Sequence, residues 1–372
     1  MEDRRIREFA RFLIGYSLRL RKGEKLLIEV HGREIPLARA LVEEAYAAGA
    51  KPFLQLYDYK LDRALLSGMD DEHMAEIAAY DLARMKDMDA YIDLRATENL
   101  CEWNDLADER VAAYRRNYLG PVHLKQRCNH TKWAVIRYPN DAMAQLAKMS
   151  TERFEDYYFD ACLFDYAKLS AAMRKLADRM ERTDKVRITG RGTELELSIK
   201  GIPAVVLDGH INVPDGEVYT APVRDSISGV VSFNTPIPYE GFVYTDIVLE
   251  FKAGKVVGAR ANDSARLNRL LDTDEGARYT GEFAFGVHPR IESPIGDILF
   301  DEKIHGSFHL TPGKCYDNAS NGNVSAIHLD LICIQRPEYG GGEIYFDGEL
   351  VRKDGLFVAE DLECLNPARL LG

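Results

Sequence analysis

Residues 25–57, KLLIEVHGREIPLARALVEEAYAAGAKPFLQLY, read as a strand, a helix and a second strand in succession. KLLIEV is a short apolar run of strand length. Pro36 follows, at the start of a helix, where a missing backbone N–H goes unnoticed. The helix continues through LARALVEEAYAAG. Gly49 is its natural C-cap before the strand KPFLQLY. Strands alternating with helices imply a largely parallel sheet flanked by those helices.

The same alternation extends on both sides. Upstream, a helix is expected over about residues 2–20, with Phe9, Phe12, Leu13 and Tyr16 at helical spacing, and Lys22-Gly23-Glu24 as the turn. Downstream come helical stretches around 62–85, the strand DAYIDLRA, a helix over about 106–130 and the strand TKWAVIRYP, closed by Pro139. Ser150-Thr151-Glu152-Arg153 and the aromatic-rich FEDYYFDACLFDY lead to one more helix, ending near Arg182. No Gly-x-Gly-x-x-Gly or Walker loop follows any of these strands, so nucleotide binding has no local support.

Around Thr183-Asp184 the texture changes. Short β-rich runs follow, among them KVRITGRG, ELELSIKG and VSFNTPIP, separated by Gly, Asn, Asp and Pro. Asp347-Gly348 between EIYF and ELVRK is a two-residue hairpin signal, and a helix is expected over about 262–273. At 372 residues two domains are the default. The expected division is an α/β domain over 1–183 and a β-rich α+β domain over 184–372.

A formal charge of −12 argues against nucleic acid as a partner, because phosphate binding wants clustered Lys and Arg. The N-terminal stretch MEDRRIREFARFLIGYS is charged and amphipathic, and no signal peptide or membrane span is expected from it. The six cysteines are scattered, with no Cys-x-x-Cys pair, which is the pattern of reduced thiols in a cytoplasmic protein. The aromatic and acidic segments near Trp103 and at 153–165 read as core rather than as a pocket.

Chemistry concentrates between Glu217 and Asp330. Glu217 stands in NVPDGEVYTAP, Glu282 in YTGEFAFG, Glu302 and His309 in FDEKIHGSFH, and His328 with Asp330 in SAIHLDLICI. Together they match the donor types of a site for two divalent metal ions, which activate water against amides or esters. In a strand, His328 and Asp330 point to one side while Ile327, Leu329 and Leu331 point to the other. Glu217 and Glu282 each follow a glycine, which lets the backbone bend and approach a bound group. Around Glu217, Asn212, Pro214, Asp215, Thr220 and Pro222 suggest a long rigid loop. Each residue also has a plainer reading: a hydrogen-bonded edge pair, a Gly-Glu turn, or one more exposed acid beside Asp301 and Lys303 in the case of Glu302. Tyr316, seven residues after His309, is either a packed aromatic or a donor to an oxyanion.

Over nearly its full length the chain resembles the thermophilic-aminopeptidase family of metallopeptidases, the group typified by aminopeptidases T and S. The N-terminal phrases YSLRLRKGEKLLIE and EAYAAGAKP carry this likeness. So do NVPDGEVYTAPV, GEFAFG, DEKIHGSFHL with TPGKCY, and SAIHLDL, in that order. The resemblance implies metal ligands at Glu217, Glu282, Glu302, His309, His328 and Asp330 and a catalytic Tyr316; for a two-metal site, Glu282 is the expected bridging carboxylate. It implies two divalent ions (zinc, cobalt or manganese), short peptide substrates and a homodimer. The chain departs from the family's Asp-Glu-Asn-type motif by a longer interval from Glu302 to His309. The interval from His309 to His328 is shorter, with TPGKCYDNASNGN in place of the usual loop. Two alternatives stand beside the aminopeptidase reading. One is a related mononuclear iron dioxygenase using His309, His328 and Asp330; the other is a non-enzymatic protein with structural metal, which carboxylate ligation disfavours.

Overall fold

The computed structural model describes residues 3–239 and 241–372. These form two compact units. The first runs up to Phe164 and includes Gly209–Pro214; the second comprises Asp165–Asp208 and Asp215–Gly372.

The first unit is built on a five-stranded parallel sheet. Its order is Lys51–Tyr57, Lys25–Gly32, Ala90–Ala96, Lys132–Arg137 and Asn212–Val213. Leu26, Ile28, Val30, Ile92, Leu94 and Ile136 are fully buried, as strands covered on both faces require. The helix Ile35–Ala47 carries Pro36 in its first turn, and Gly49 past its end takes φ +75°. The first helix spans Arg4–Phe12 and runs on as a π-turn over Leu13–Ser17. Residue 2, the expected start of that helix, lies outside the described residues.

Trp103 departs from the expectation of simple core. It lines a cavity of about 350 Å³ in this unit, with Glu29, His31, Tyr57, Tyr59 and Tyr114 among its neighbours. The 153–165 segment does form core: Phe154, Tyr158, Phe159 and Cys162 are buried.

In the second unit, an eight-stranded antiparallel sheet accompanies a five-stranded one. The hairpin Gly342–Phe346 to Glu349–Lys353 turns at Asp347 and Gly348, with φ +49° and +88°. The helix Tyr166–Arg182 packs with this unit, although the change of texture at 183/184 suggests the other side. Leu169, Met173, Leu176 and Met180 form its buried stripe, Ser170 donates to Asp208, and Lys168 donates to the Leu370 carbonyl. A change of element type marks where strands begin, not where packing divides.

Candidate metal centre

The five-stranded sheet is ordered Leu331–Ile334, Ser307–Pro312, Thr280–Gly286, Glu217–Thr220, Val205–Leu207, all antiparallel. Glu282 lies opposite Thr311, Ala284 opposite His309, and Gly286 opposite Glu217. Directly opposed residues share a face and the side-chain period is two, so Glu217, Glu282, His309 and Thr311 all look the same way. Phe283, Phe285 and Phe308 take the opposite face, where their rings meet at 5.1 and 6.5 Å. A slip of one residue would exchange the aromatic core for the carboxylates, so packing locks the register of the site.

Both glycines occupy positions that Ala would disturb. Gly216 sits at φ +131°, and a Cβ on Gly281 would stand 2.4 Å from the Lys314 backbone carbonyl carbon. The ladder shifts register at Gly281, which brings Glu282 opposite Thr311. Glu217 differs from expectation: it opens a buried strand rather than lying in a long loop. The strand that follows His328 and Asp330 begins only at Leu331, and His328 forms an isolated bridge with Gly313. The alternation survives nonetheless. Ile327, Leu329 and Leu331 are buried, while His328 and Asp330 are partly exposed.

These elements bring the predicted donors into two overlapping groups, Glu217–Glu282–His309 and Glu282–His328–Asp330. Within each, one donor atom per residue lies within 4.8 Å of the others. His309 Nε2 is 3.1 Å from Glu282 Oε1 and 3.8 Å from Glu217 Oε2. His328 Nε2 is 3.5 Å from Glu282 Oε2 and 3.3 Å from Asp330 Oδ1. The Nδ1 atom of His328 faces the Lys314 carbonyl at 2.9 Å, which fixes the ring and turns Nε2 to the cluster. Thr311 donates to Asp330 Oδ1 at 2.6 Å. Glu302 stands apart from both groups. Its Oε1 is 2.5 Å from the Lys303 ammonium. Tyr316 is 44% exposed, and its ring centroid lies 4.9 Å from that of His328 and 5.6 Å from that of Tyr219.

The electrostatics are those of a cation site. Burial would lower both histidines, but the surrounding carboxylates reverse this. His309 rises to about 9 through Glu282 and Glu217, and His328 to about 10 through Asp330 and Glu282. Burial, with Glu302 and Glu282 nearby, pushes Glu217 well up against the pull of Lys303 and His309. Asp330 goes the other way: His328, His309 and Thr311 outweigh its burial and depress it. The phenol of Tyr316 is held well above its ordinary range by desolvation and by Glu282, Asp330, Glu302 and Glu217, so it remains a proton donor. Glu282 Oε2 is buried without a hydrogen bond, although two histidines flank its carboxylate. A buried acceptor left open between two clusters of carboxylate and imidazole fits a shared divalent cation.

Three participants escaped the sequence. Lys303 is fully buried, with Nζ 2.5 Å from Glu302, 3.0 Å from Glu217 and 3.5 Å from Asp215. Asp215 and Thr311 are likewise buried against the cluster. The available signal was the crowd of acids itself, since buried carboxylates in such number need a cation. Asp301, the neighbour of Glu302, plays a separate part. Its carboxylate accepts from Ile295 and Gly296 N–H at 2.7 and 2.9 Å and so fastens the preceding loop.

Comparison with known proteins gives a consistent answer. The family profile described as thermophilic metalloprotease (M29) matches residues 2–355. Aminopeptidase 2 of Geobacillus stearothermophilus is 26% identical, over 95% of this chain and 95% of its own. Aminopeptidase T of Thermus thermophilus is 26% identical, over 93% of this chain and 96% of its own. Among solved structures, wild-type AmpT from Thermus thermophilus superposes with a TM-score of 0.81 at 23% identity, covering 96% of this chain and 99% of that one. A 2,5-dihydroxypyridine dioxygenase from Pseudomonas putida shares the fold more distantly, with a TM-score of 0.59 at 15% identity over 96% and 98% of the two chains.

Proposed function

Given that the chain belongs to the thermophilic metalloprotease (M29) family, we propose that it is a metal-dependent aminopeptidase that removes the N-terminal residue of short peptides at a centre for two divalent ions. The observation that carries this reading is Glu282, common to both donor groups, with one oxygen toward His309 and the other toward His328. Glu217 and His309 would hold one ion, His328 and Asp330 the other, with Glu282 between them and Glu302 beside them. Zinc, cobalt and manganese suit carboxylate and imidazole donors better than calcium does. Bound there, such ions polarise a peptide carbonyl and lower the pKa of water from about 15.7 to about 7.

The chain's own groups complete the chemistry. Tyr316, protonated and partly exposed beside His328, donates to the oxygen of the tetrahedral species as charge develops on it. The free amine of the substrate would bind an ion or a nearby carboxylate of the centre, and this selects N-terminal residues. Thr311 and the Lys314 carbonyl keep Asp330 and His328 aimed. The same reading carries a homodimer and a cytoplasmic setting. Among the described residues no helix is long and apolar enough to cross a membrane.

Metal stoichiometry measured together with a screen of aminoacyl-nitroanilides and dipeptides tests the proposal. Two equivalents of zinc, cobalt or manganese with release of N-terminal residues is the expected result. One iron per chain with ring cleavage of a dihydroxypyridine would favour the dioxygenase alternative, for which His309, His328 and Asp330 are the available triad. Retention of Glu217 and Glu282 within the same cluster favours the hydrolase.

A further inference from the structure

We infer that Lys303 is a built-in cation of this centre, which draws Glu217 and Glu302 to itself and makes the two metal subsites unequal. The inference rests on the metal reading above. Lys303 is wholly shielded from solvent and surrounded by three carboxylates, Glu302 at 2.5 Å, Glu217 at 3.0 Å and Asp215 at 3.5 Å. Its ammonium donates a hydrogen bond to Glu302, and the Glu217 and Asp215 carboxylates stand at ion-pair distance. Buried without partners it would be strongly unfavourable, so these contacts are not dispensable to the fold.

Glu217 belongs to the donor group with Glu282 and His309. A divalent ion recruited there shares Glu217 with a fixed positive charge and is repelled by it. Like charges this close inside a protein repel strongly enough to separate the two affinities by about tenfold or more. The other group is free of this competition. Among the described residues no ion pair joins Lys303 to Glu282 or Asp330, and Asp330 is held instead by Thr311. The Glu282–His328–Asp330 subsite therefore fills first and tightly, and the Glu217–His309 side fills second and weakly. Without metal, the same ammonium keeps Asp215, Glu217 and Glu302 from repelling one another, so the pocket stays assembled.

The test compares metal-free wild type with Lys303→Met. Each is titrated with cobalt(II), bound cobalt is followed by equilibrium dialysis and visible absorption, and the thermal midpoints of the metal-free proteins are recorded. Wild type is expected to bind two ions in steps separated by about tenfold or more. In Lys303→Met the second step tightens by about tenfold or more and the metal-free midpoint falls. Should that variant not fold, Lys303→Met combined with Asp215→Asn, which removes one buried charge of each sign, carries the same affinity expectation. Unchanged dissociation constants in a folded variant overturn the role of Lys303 and leave the metal reading standing. Absence of cobalt from both proteins overturns both. One ion in wild type and two in the variant supports the proposal and corrects the ion count given above.

Discussion

Glu282 and His309 reach each other diagonally across neighbouring strands, with His309 Nε2 3.1 Å from Glu282 Oε1. The contact depends on the register shift at Gly281, which sets Glu282 opposite Thr311 and Ala284 opposite His309. Everything proposed for the centre follows from that placement, because the second oxygen of Glu282 is thereby left facing His328.

Removing His328 should empty the better subsite. His328→Ala is expected to fold, judged by circular dichroism, to hold less metal than wild type, and to lose cleavage of aminoacyl-nitroanilides. A folded variant with two equivalents of metal and wild-type turnover would rule out the assignment.

Tyr316→Phe separates chemistry from ligation. Metal content should not change, while kcat falls on the order of 10²-fold, the scale of one lost oxyanion donor. If metal is lost instead, the tyrosine is structural. Inductively coupled plasma analysis beside steady-state kinetics distinguishes the two.

Thr311→Val removes the hydroxyl that holds Asp330 at 2.6 Å while keeping shape and strand propensity. Partners that orient ligands are worth about 10–100-fold in metal affinity, so a chelator competition titration should show a loss of that size. Equal affinity in both proteins would mean that Asp330 needs no such support.

In the first unit, burial pushes Glu29 up to about 7, against 4.5 for an ordinary glutamate, despite its hydrogen bond from Tyr91 at 2.7 Å. Its folded pKa exceeds its unfolded one, so the native state binds the proton more tightly. That stabilisation is complete below about pH 4.5 and is lost as pH rises toward 7. The shift corresponds to about 3 kcal/mol at most. Thermal midpoints of wild type and Glu29→Gln, measured from pH 4 to 8, should therefore diverge, with wild type losing more as pH rises. Parallel curves would place the titration elsewhere.

Much of this is legible in the chain. KLLIEV, the helix after Pro36 and KPFLQLY appear as written, because apolar period, a proline and a C-capping glycine act within a few residues. TGEFAFG shows in sequence only a glutamate after a glycine; the structure makes it a strand with Glu282 on the face opposite two phenylalanines. The sequence places the helix Tyr166–Arg182 with the wrong neighbour because an amphipathic stripe states that it must be buried, not against what. Trp103 reads as core because an aromatic residue looks alike in sequence whether it fills a space or borders one.

The centre divides along the same line. Sequence alone named the candidate donors: Glu217, Glu282, Glu302, His309, His328 and Asp330 each had a plainer reading, and the family resemblance, through order and phrasing, joined them into one hypothesis. Tertiary structure alone decided the distances that set Glu282 between two groups, and that Lys303, which reads as an ordinary charged neighbour of Glu302, is fully buried among Glu302, Glu217 and Asp215. Ligand type is a property of single residues. Charge pairing and desolvation depend on distances of a few ångströms between segments about 90 residues apart in the chain, and only the packed sheet sets those distances.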